Sequence, residues 1–315
     1  MIGRVLGLGV DSSDMASAAA VRRASVADSR VCFGLFRRSL WDLMRRIGYR
    51  PADQHDPDPD AQWPVYRDLF AHLGATCAEW WIAEDPAGES VGYARSTERD
   101  GLWELTEFFV APDARVAGVG RALLERAFAP GLGTHRSIIA TMDAAAVALY
   151  LRFGVTHQTT GVGMTGRPRA VVPPTDLETT AVTAEDVLEV EQAVLGHARP
   201  QEAQFMLANR PAVVLRRRGR PVAYAFLPNA DGHAGPVAAL ESAVLPTALG
   251  VLEDAAYRAG IEQLDLTVPL AAQTAVEWLL RERGFRIDPF YCLFLADGAW
   301  AQLDRYLPFN PCQML

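Results

Sequence analysis

Glu104-Leu-Thr-Glu107-Phe108-Phe109-Val110-Ala-Pro112-Asp-Ala-Arg115-Val-Ala-Gly118-Val-Gly120-Arg121-Ala-Leu-Leu124 is a strand pattern that runs into a glycine-bearing loop and then opens a helical pattern. Glycines let the backbone approach a ligand closely, and the unpaired amides of a helix start, together with its dipole, suit an anion such as a pyrophosphate. The loop lacks the Gly-Lys-Ser/Thr of a P-loop. Leu123 stands where the third glycine of a dinucleotide fingerprint would be. On its own, Gly118-Val119-Gly120 is therefore compatible with an anion cradle or with an ordinary helix cap.

Working outward, Glu79 to Glu84, Ser90 to Ser96 and Leu102 to Val110 are rich in aromatic and β-branched residues, and the Asp85-Pro86-Ala87-Gly88 and Arg99-Asp100-Gly101 turns predict an antiparallel meander. Upstream lie a short strand, Val21 to Ala24, and an amphipathic helix, Ala27 to Ile47, stopped by Gly48. A polar acidic loop, Asp53 to Pro64, leads to a helical pattern from Tyr66 to Leu73. Downstream come a helix from Val119 to Ala129, a strand from His135 to Thr141, a helix from Ala144 to Phe153 and a strand from Thr156 to Met164. Arg167 to Thr175 holds Pro168, Pro173 and Pro174 and reads as an extended linker.

The series then restarts. Leu177 to Val182 reads as a strand and Glu185 to Ala208 as one helical region. A hairpin follows, Ala212 to Arg217 with Pro221 to Leu227, then a helix from Leu249, a strand Leu264 to Val268, a helix Gln273 to Arg283 and a strand Tyr291 to Leu295. Thr141 to Val155 and Thr267 to Phe285 share the order strand, helix, then a glycine followed by an apolar residue, the mark of a duplicated unit. The expected fold is α/β (α+β), in two tandem domains over 15–168 and 176–315, each a mixed, mostly antiparallel sheet flanked by helices.

The 315 residues, half of them hydrophobic and 22% charged, suit two packed cores rather than disorder. A net charge of -8 opposes nonspecific duplex binding, so no nucleic acid partner is expected. All 30 basic residues are arginine. Cys32, Cys77, Cys292 and Cys312 are too far apart for a CxxC pair, and the six histidines show no ligand spacing beside them, so free thiols and no metal are expected. The apolar run from Val5 to Val10 ends at Asp11, short of a signal core, and no window approaches the ~18 apolar residues of a membrane span. A soluble cytoplasmic protein without a membrane partner is expected.

Arg115, Gly118 and Gly120 match the Arg/Gln-x-x-Gly-x-Gly/Ala signature of the GNAT superfamily of acyl-CoA-dependent N-acetyltransferases, which the chain resembles here. A second family motif, Asn-x-x-Ala-x-x-Leu-Tyr-x-x-x-Gly-Phe, is met by Ala146, Leu149, Tyr150 and Gly154, with Asp143 for the asparagine and Val155 for the phenylalanine. The resemblance implies acetyl-CoA as cosubstrate, its pyrophosphate on the amides of Val116, Ala117, Gly118, Val119, Gly120 and Arg121, with Asp143 at the second motif's start. It also implies acetyl and pantetheine bonds to the main chain of Phe109 and Val110. The family's glycine and arginine after Arg115 are Val116 and Ala117 here.

In the family a tyrosine at the place of Tyr150 protonates the leaving thiolate, a fitting exchange between a phenol of pKa ~10 and a thiol of pKa ~8.5. Glu104 lies where some members keep a general base, while others deprotonate the amine through water. Strict alternation sends Glu104 and Glu107 to opposite faces, so only one is expected to line the cleft. Trp41, Trp63, Tyr66, Trp80 and Trp81 read as core aromatics, and the Asp53 to Asp60 loop as a solvated surface or, alternatively, as an acidic attraction for a cationic amine. The second half ends its motif with Gly284-Phe285 but has Leu280 at the place of Tyr150 and Pro246 near the expected loop, where proline removes an amide.

The expected activity is acetyl transfer to the amine of a small molecule or peptide, in the first domain, with a degenerate second domain. The alternative is a noncatalytic acyl-CoA-binding or regulatory protein. Sequence leaves the acceptor and the oligomeric state open.

Overall fold

A short 3-10 turn at Val26–Asp28, where Ser25 and Asp28 cap one another, launches the first long helix. The computed structural model describes residues 19–115, 118–171, 176–299 and 301–308. The first half runs β1 (Ala20–Arg23), α1 (Ser29–Arg46), α2 (Pro59–Thr76), β2 (Glu79–Glu84), β3 (Ser90–Arg99), β4 (Leu102–Val110), α3 (Val119–Ala127), β5 (His135–Thr141), α4 (Ala144–Arg152) and β6 (Thr156–Gly166). The second repeats that order as β7 (Glu178–Ala181), α5 (Ala184–Leu195), α6 (Pro200–Asn209), β8 (Ala212–Arg217), β9 (Arg220–Phe226), β10 (Val237–Ala239), α7 (Leu245–Arg258), β11 (Leu264–Pro269), α8 (Gln273–Glu277) with a π-helical turn, and β12 (Arg286–Ala296). A short β13 (Tyr306–Leu307) follows.

Three sequence expectations shift. The loop expected to Pro64 ends at Asp58, whose carboxylate accepts the Asp60 amide while Pro59 takes the first helical position, so α2 begins at Pro59, ahead of the Tyr66 expected from the pattern. The single helical region from Glu185 to Ala208 is two helices, because Gly196 closes α5 in the left-handed conformation and Pro200 opens α6. The helix expected from Leu249 starts at Leu245, since Pro246 is tolerated in a first turn that needs no amide.

The two halves exchange their last strands. One sheet has the order β1-β2-β3-β4-β5-β12-β6-β11, and the other β13-β10-β9-β8-β7. Along β5, Thr141 pairs Cys292 and Ser137 pairs Ala296 of β12, while β6 lies between β12 and β11, with Gly161 opposite Pro269 and Gly166 opposite Leu264. Each exchanged strand also plants side chains in the other half's core: Val162 and Met164 pack with Leu264, Leu266 and Val268, and Leu295 packs with Ile138, Ala140 and Tyr150. A Cβ at Gly161 would stand 2.7 Å from the Phe294 ring and 2.8 Å from the Cys292 sulfur, so only glycine lets β6 approach β12 here.

Polar contacts join the halves elsewhere. Arg99 Nε donates to Glu202 at 2.9 Å, and its Nη2 contacts the same carboxylate. The His72 ring stacks on Phe205 at 4.3 Å and faces Glu202 at 3.6 Å, and the Ala198 amide donates to Asp100 at 3.2 Å. Burial works against the Glu202 carboxylate, but Arg99 and His72 hold it well below the usual range. Burial, with Arg199 close by, pushes His197 down to about 4.

Two outcomes follow from this arrangement. Truncation after Pro168 removes β11 and β12, leaves β5 with only its short pairing to β4 and β6 with no partner, and exposes their buried faces, so the fragment should be insoluble or fail to show cooperative melting by circular dichroism. His197 is held neutral in the fold, whereas the unfolded chain takes up a proton near pH 6.5. Its stabilisation is complete above that pH and is lost as the pH falls toward 4, by up to ~3 kcal/mol. Urea unfolding at pH 7 and 5 should show this loss, and His197→Gln should flatten it.

Candidate active site

β4 and β5 run parallel and pair only over Leu102–His135, Trp103–Arg136 and Glu104–Ser137. Beyond Glu104 the two strands no longer pair, and the space beside them holds two cavities with a common wall of Leu40, Phe108, Phe109, Thr141 and Tyr150. The smaller, about 150 Å³, is bounded by Ser39 and Leu43 of α1, by Val110, by Arg115 and Gly120 of the loop into α3, and by Asp143 to Leu149 at the start of α4. The larger, about 370 Å³, extends from Glu107 and Tyr150 to residues of β6, β11 and β12.

Among the described residues, Gly118 leads directly into α3, the helix opening expected at the glycine pair. Gly118 has φ +75° and opens α3 without a side-chain cap, so the first-turn amides are not taken by a neighbouring side chain. A Cβ at Gly120 would lie 3.0 Å from the Phe108 ring. A cradle for an anion fits these residues: a bare helix start, close backbone approach and Arg115 on the rim. Val116 and Ala117 lie outside the described residues. Val119 is buried in the core beneath the loop, and the Arg121 side chain faces solvent near Glu125, leaving only its amide for such a role.

Across the smaller cavity runs a chain of charges. Arg115 donates to Asp42 at 2.7 Å, Asp42 accepts from Arg46 at 2.9 Å, and Arg46 donates to Asp143 at 2.7 Å. Asp143 also caps α4 by accepting the Ala145 and Ala146 amides. Burial raises its pKa, but Arg46 and the cap amide outweigh this and hold it below the ordinary carboxylate range. Ser39 donates to the Val110 carbonyl at 3.2 Å.

Tyr150 lies on α4 at the shared wall, edge-on to Phe108 at 5.8 Å. Burial, aided by Asp143, raises its pKa well above that of an ordinary phenol, so it stays protonated at neutral pH. Opposite it, the two glutamates depart from the expected alternation. Arg95 pairs Glu107 and Ser96 pairs Leu105, which leaves Thr106 as the extra residue of a bulge, its hydroxyl donating to the Arg95 carbonyl at 2.9 Å. One extra residue restores phase, so Glu104 and Glu107 share a face.

Glu107 lines the larger cavity, fully buried, 2.9 Å from Arg95 and accepting from the Tyr93 hydroxyl at 3.1 Å. Burial raises its pKa against the opposing pull of Arg95 and Tyr93. Glu104 lines neither cavity; it sits across from Thr97 with its carboxylate 3.8 Å from Arg99, toward the interface of the halves.

The tryptophans are packing residues: Trp80 lies under the Arg95 guanidinium at 4.1 Å, and Trp63 and Tyr66 join Phe33 and Phe70. In the acidic loop, Asp56 is paired with Arg45 and Asp60 contacts Arg30. Sequence reasoning missed the second half's share of the larger cavity, which includes His233, Asp265, Asp288, Phe290 and Tyr291. Asp288-Pro289 lies ahead of the expected strand Tyr291 to Leu295, but β12 begins at Arg286 and takes in that proline, breaking register between Ile287 and Tyr291 as proline in a strand does.

Residues 77–157 match the family model of the acetyltransferase (GNAT) domain. Among solved structures, a Pyrococcus horikoshii protein assigned as an acetyltransferase superposes with a TM-score of 0.66 at 16% identity, covering 92% of this chain and 94% of that one. A GCN5-related N-acetyltransferase from Sphaerobacter thermophilus gives 0.60 at 16%, over 89% and 96%. A tandem GNAT protein from the clavulanic acid biosynthesis pathway gives 0.51 at 15%, over 89% and 99%. These likenesses take in both halves of the chain. No curated protein sequence matches it.

Proposed function

We propose, for a chain that carries a GNAT acetyltransferase domain in residues 77–157 and folds throughout like a tandem GNAT protein, that it transfers an acetyl group from acetyl-CoA to an amine by direct attack, with the first half catalytic. The observation that carries this reading is one continuous wall: Arg115, Gly120, Phe109, Val110 and Asp143 around the smaller cavity, and Tyr150 where it meets the larger. Acetyl-CoA supplies the thioester that the amine attacks. The loop from Arg115 to Arg121 and the start of α3 would hold its pyrophosphate through amides and the helix dipole.

The remaining chemistry belongs to side chains and main chain of this protein. Glu107, the buried carboxylate of the first half on the larger cavity, accepts the proton of the attacking amine; burial, against the pull of Arg95 and Tyr93, makes it more basic than an ordinary glutamate. Main-chain amides of β4 near Phe109 stabilise the oxyanion of the tetrahedral intermediate. Tyr150 donates its proton to the departing thiolate. No acyl-enzyme is needed.

One acetyl-CoA is bound per chain. In the second half the first turn of α7 is buried at Leu245, Ala248 and Leu249, it carries Pro246, and Leu280 packs against the core at the place of Tyr150. Pro246 removes one donor amide there, and the apolar packing of the turn disfavours a buried anion.

The loop assignment is tested by calorimetry on the full chain. Acetyl-CoA should saturate at one equivalent, and Gly120→Asp, which sets a carboxylate against the cradle, should weaken binding by more than about tenfold with the fold retained. Unchanged affinity, or two comparable sites, would overturn it. For the chemistry, Tyr150→Phe keeps the ring and removes the proton, so kcat in a thiol-release assay against an amine panel should fall about 100- to 10,000-fold with acetyl-CoA affinity nearly preserved. Glu107→Gln should abolish the acid limb of the pH profile, which in the native enzyme should lie above the ordinary range of a glutamate. A fully active Tyr150→Phe enzyme removes that residue from the mechanism.

A further inference from the structure

The larger cavity is built by both halves, and its far end belongs to the second. Phe36, Leu40 and Met44, one face of α1, and Phe290 from β12 give it an apolar wall. Its charged lining is one-sided. Of the described residues around it, Glu107, Asp265 and Asp288 are the acids, His233 is the only basic group, and no arginine takes part in a chain that has 30 of them. Glu107, at the Tyr150 end, is balanced by Arg95 behind it.

Asp265 and Asp288 are held differently. Asp265 accepts from Gln263 at 2.9 Å and faces His233 at 3.9 Å; Asp288 accepts from the Tyr49 hydroxyl at 3.1 Å and from the Phe290 amide at 2.8 Å. A carboxylate has about four lone-pair positions, so these contacts fix each side chain without exhausting it. Tyr49, in the segment after α1, and Asp288, on the exchanged strand, meet across the cavity from opposite halves of the chain.

Resting on the acetyl-transfer reading above, we propose that the acceptor is an amphipathic amine with two cationic groups: one end presents its nitrogen to Glu107 and Tyr150, an apolar body lies along Phe36, Leu40, Met44 and Phe290, and the second cation, ammonium or guanidinium, sits on Asp265 and Asp288. Half-burial raises the Asp265 pKa, and the nearby Asp288 raises it further; Gln263 and His233 offset only part of this. A ligand cation relieves that repulsion, which a neutral or anionic group would not. The second half thereby acts in acceptor choice rather than in acetyl-CoA binding.

Octylamine and 1,8-diaminooctane, equal in chain length and different in one charge, separate the possibilities. With the full chain and acetyl-CoA, kcat/KM for the diamine should exceed that for octylamine by about tenfold or more, chiefly through KM. In Asp265→Asn/Asp288→Asn, where the carboxamide introduced at position 288 can still accept the Phe290 amide through its carbonyl oxygen and donate its NH2 to the Tyr49 oxygen, the preference should collapse toward unity. A preference for octylamine, or a diamine preference that survives the double variant, overturns the proposal. Calorimetric binding of each amine without acetyl-CoA decides the case independently of turnover. If neither amine is acetylated but the diamine binds tighter in an Asp265- and Asp288-dependent manner, the acetyl-transfer reading fails and the cavity assignment stands; equal binding of the two amines defeats the cavity assignment.

Discussion

The rest of the structure depends on the backbone pairing of β5 with β12. A buried strand must satisfy its amides and carbonyls on both sides, and β5 meets β4 over only three residue pairs before the two part. The partner on its other side comes from the end of the chain, Cys292 to Ala296, and β6 in turn fills the space between β12 and β11. The opening between β4 and β5, where both cavities lie, is therefore held apart by a strand encoded some 150 residues away. Fusion of the halves is a condition of the site's shape as well as of its stability.

That constraint explains which parts were legible from sequence. Arg115, Gly118, Gly120, Asp143 and Tyr150 belong to two short segments, the junction into α3 and the length of α4, and their spacing within each is local; all but Gly118 line the smaller cavity. The order of elements was equally legible, since hydrophobic periodicity and turn residues are local signals. Which strand sits beside which is a different kind of information. Strand β12 reads as an ordinary apolar strand, and nothing in its pattern distinguishes pairing with β6 alone from insertion beside β5. Hence Asp265, Asp288 and Tyr291 stayed outside the sequence-based site.

The two glutamates show how one residue of backbone overrides a sound rule. Alternation separates positions three apart onto opposite faces, and Thr106 cancels it by stepping out of the ladder. Glu107 is thus brought against Arg95 and Tyr93 at the cavity wall, while Glu104 falls two ladder positions further along the same face and meets Arg99 at the junction of the halves. The bulge re-aims a carboxylate from the opposite face to the cavity at the point where β4 leaves β5. Threonine, common in ordinary strands, gives no sign of it.

The two halves are therefore unequal in a way that a simple duplication would not require. The first retains an open helix start above a cavity; the second packs its equivalent turn at Leu245, Ala248 and Leu249 into a core that also receives Val162 and Met164 from the first. Filling that place with apolar side chains gives β6 a buried face to rest on, and β6 in its new position carries Gly161 and Gly163, whose missing side chains leave room beside Cys292 and Asp288. Had the second half kept an open cradle, the core that anchors the exchanged strand would be reduced at the same point. The packed first turn of α7 and the completion of the large cavity by β6 are thus two consequences of a single packing choice.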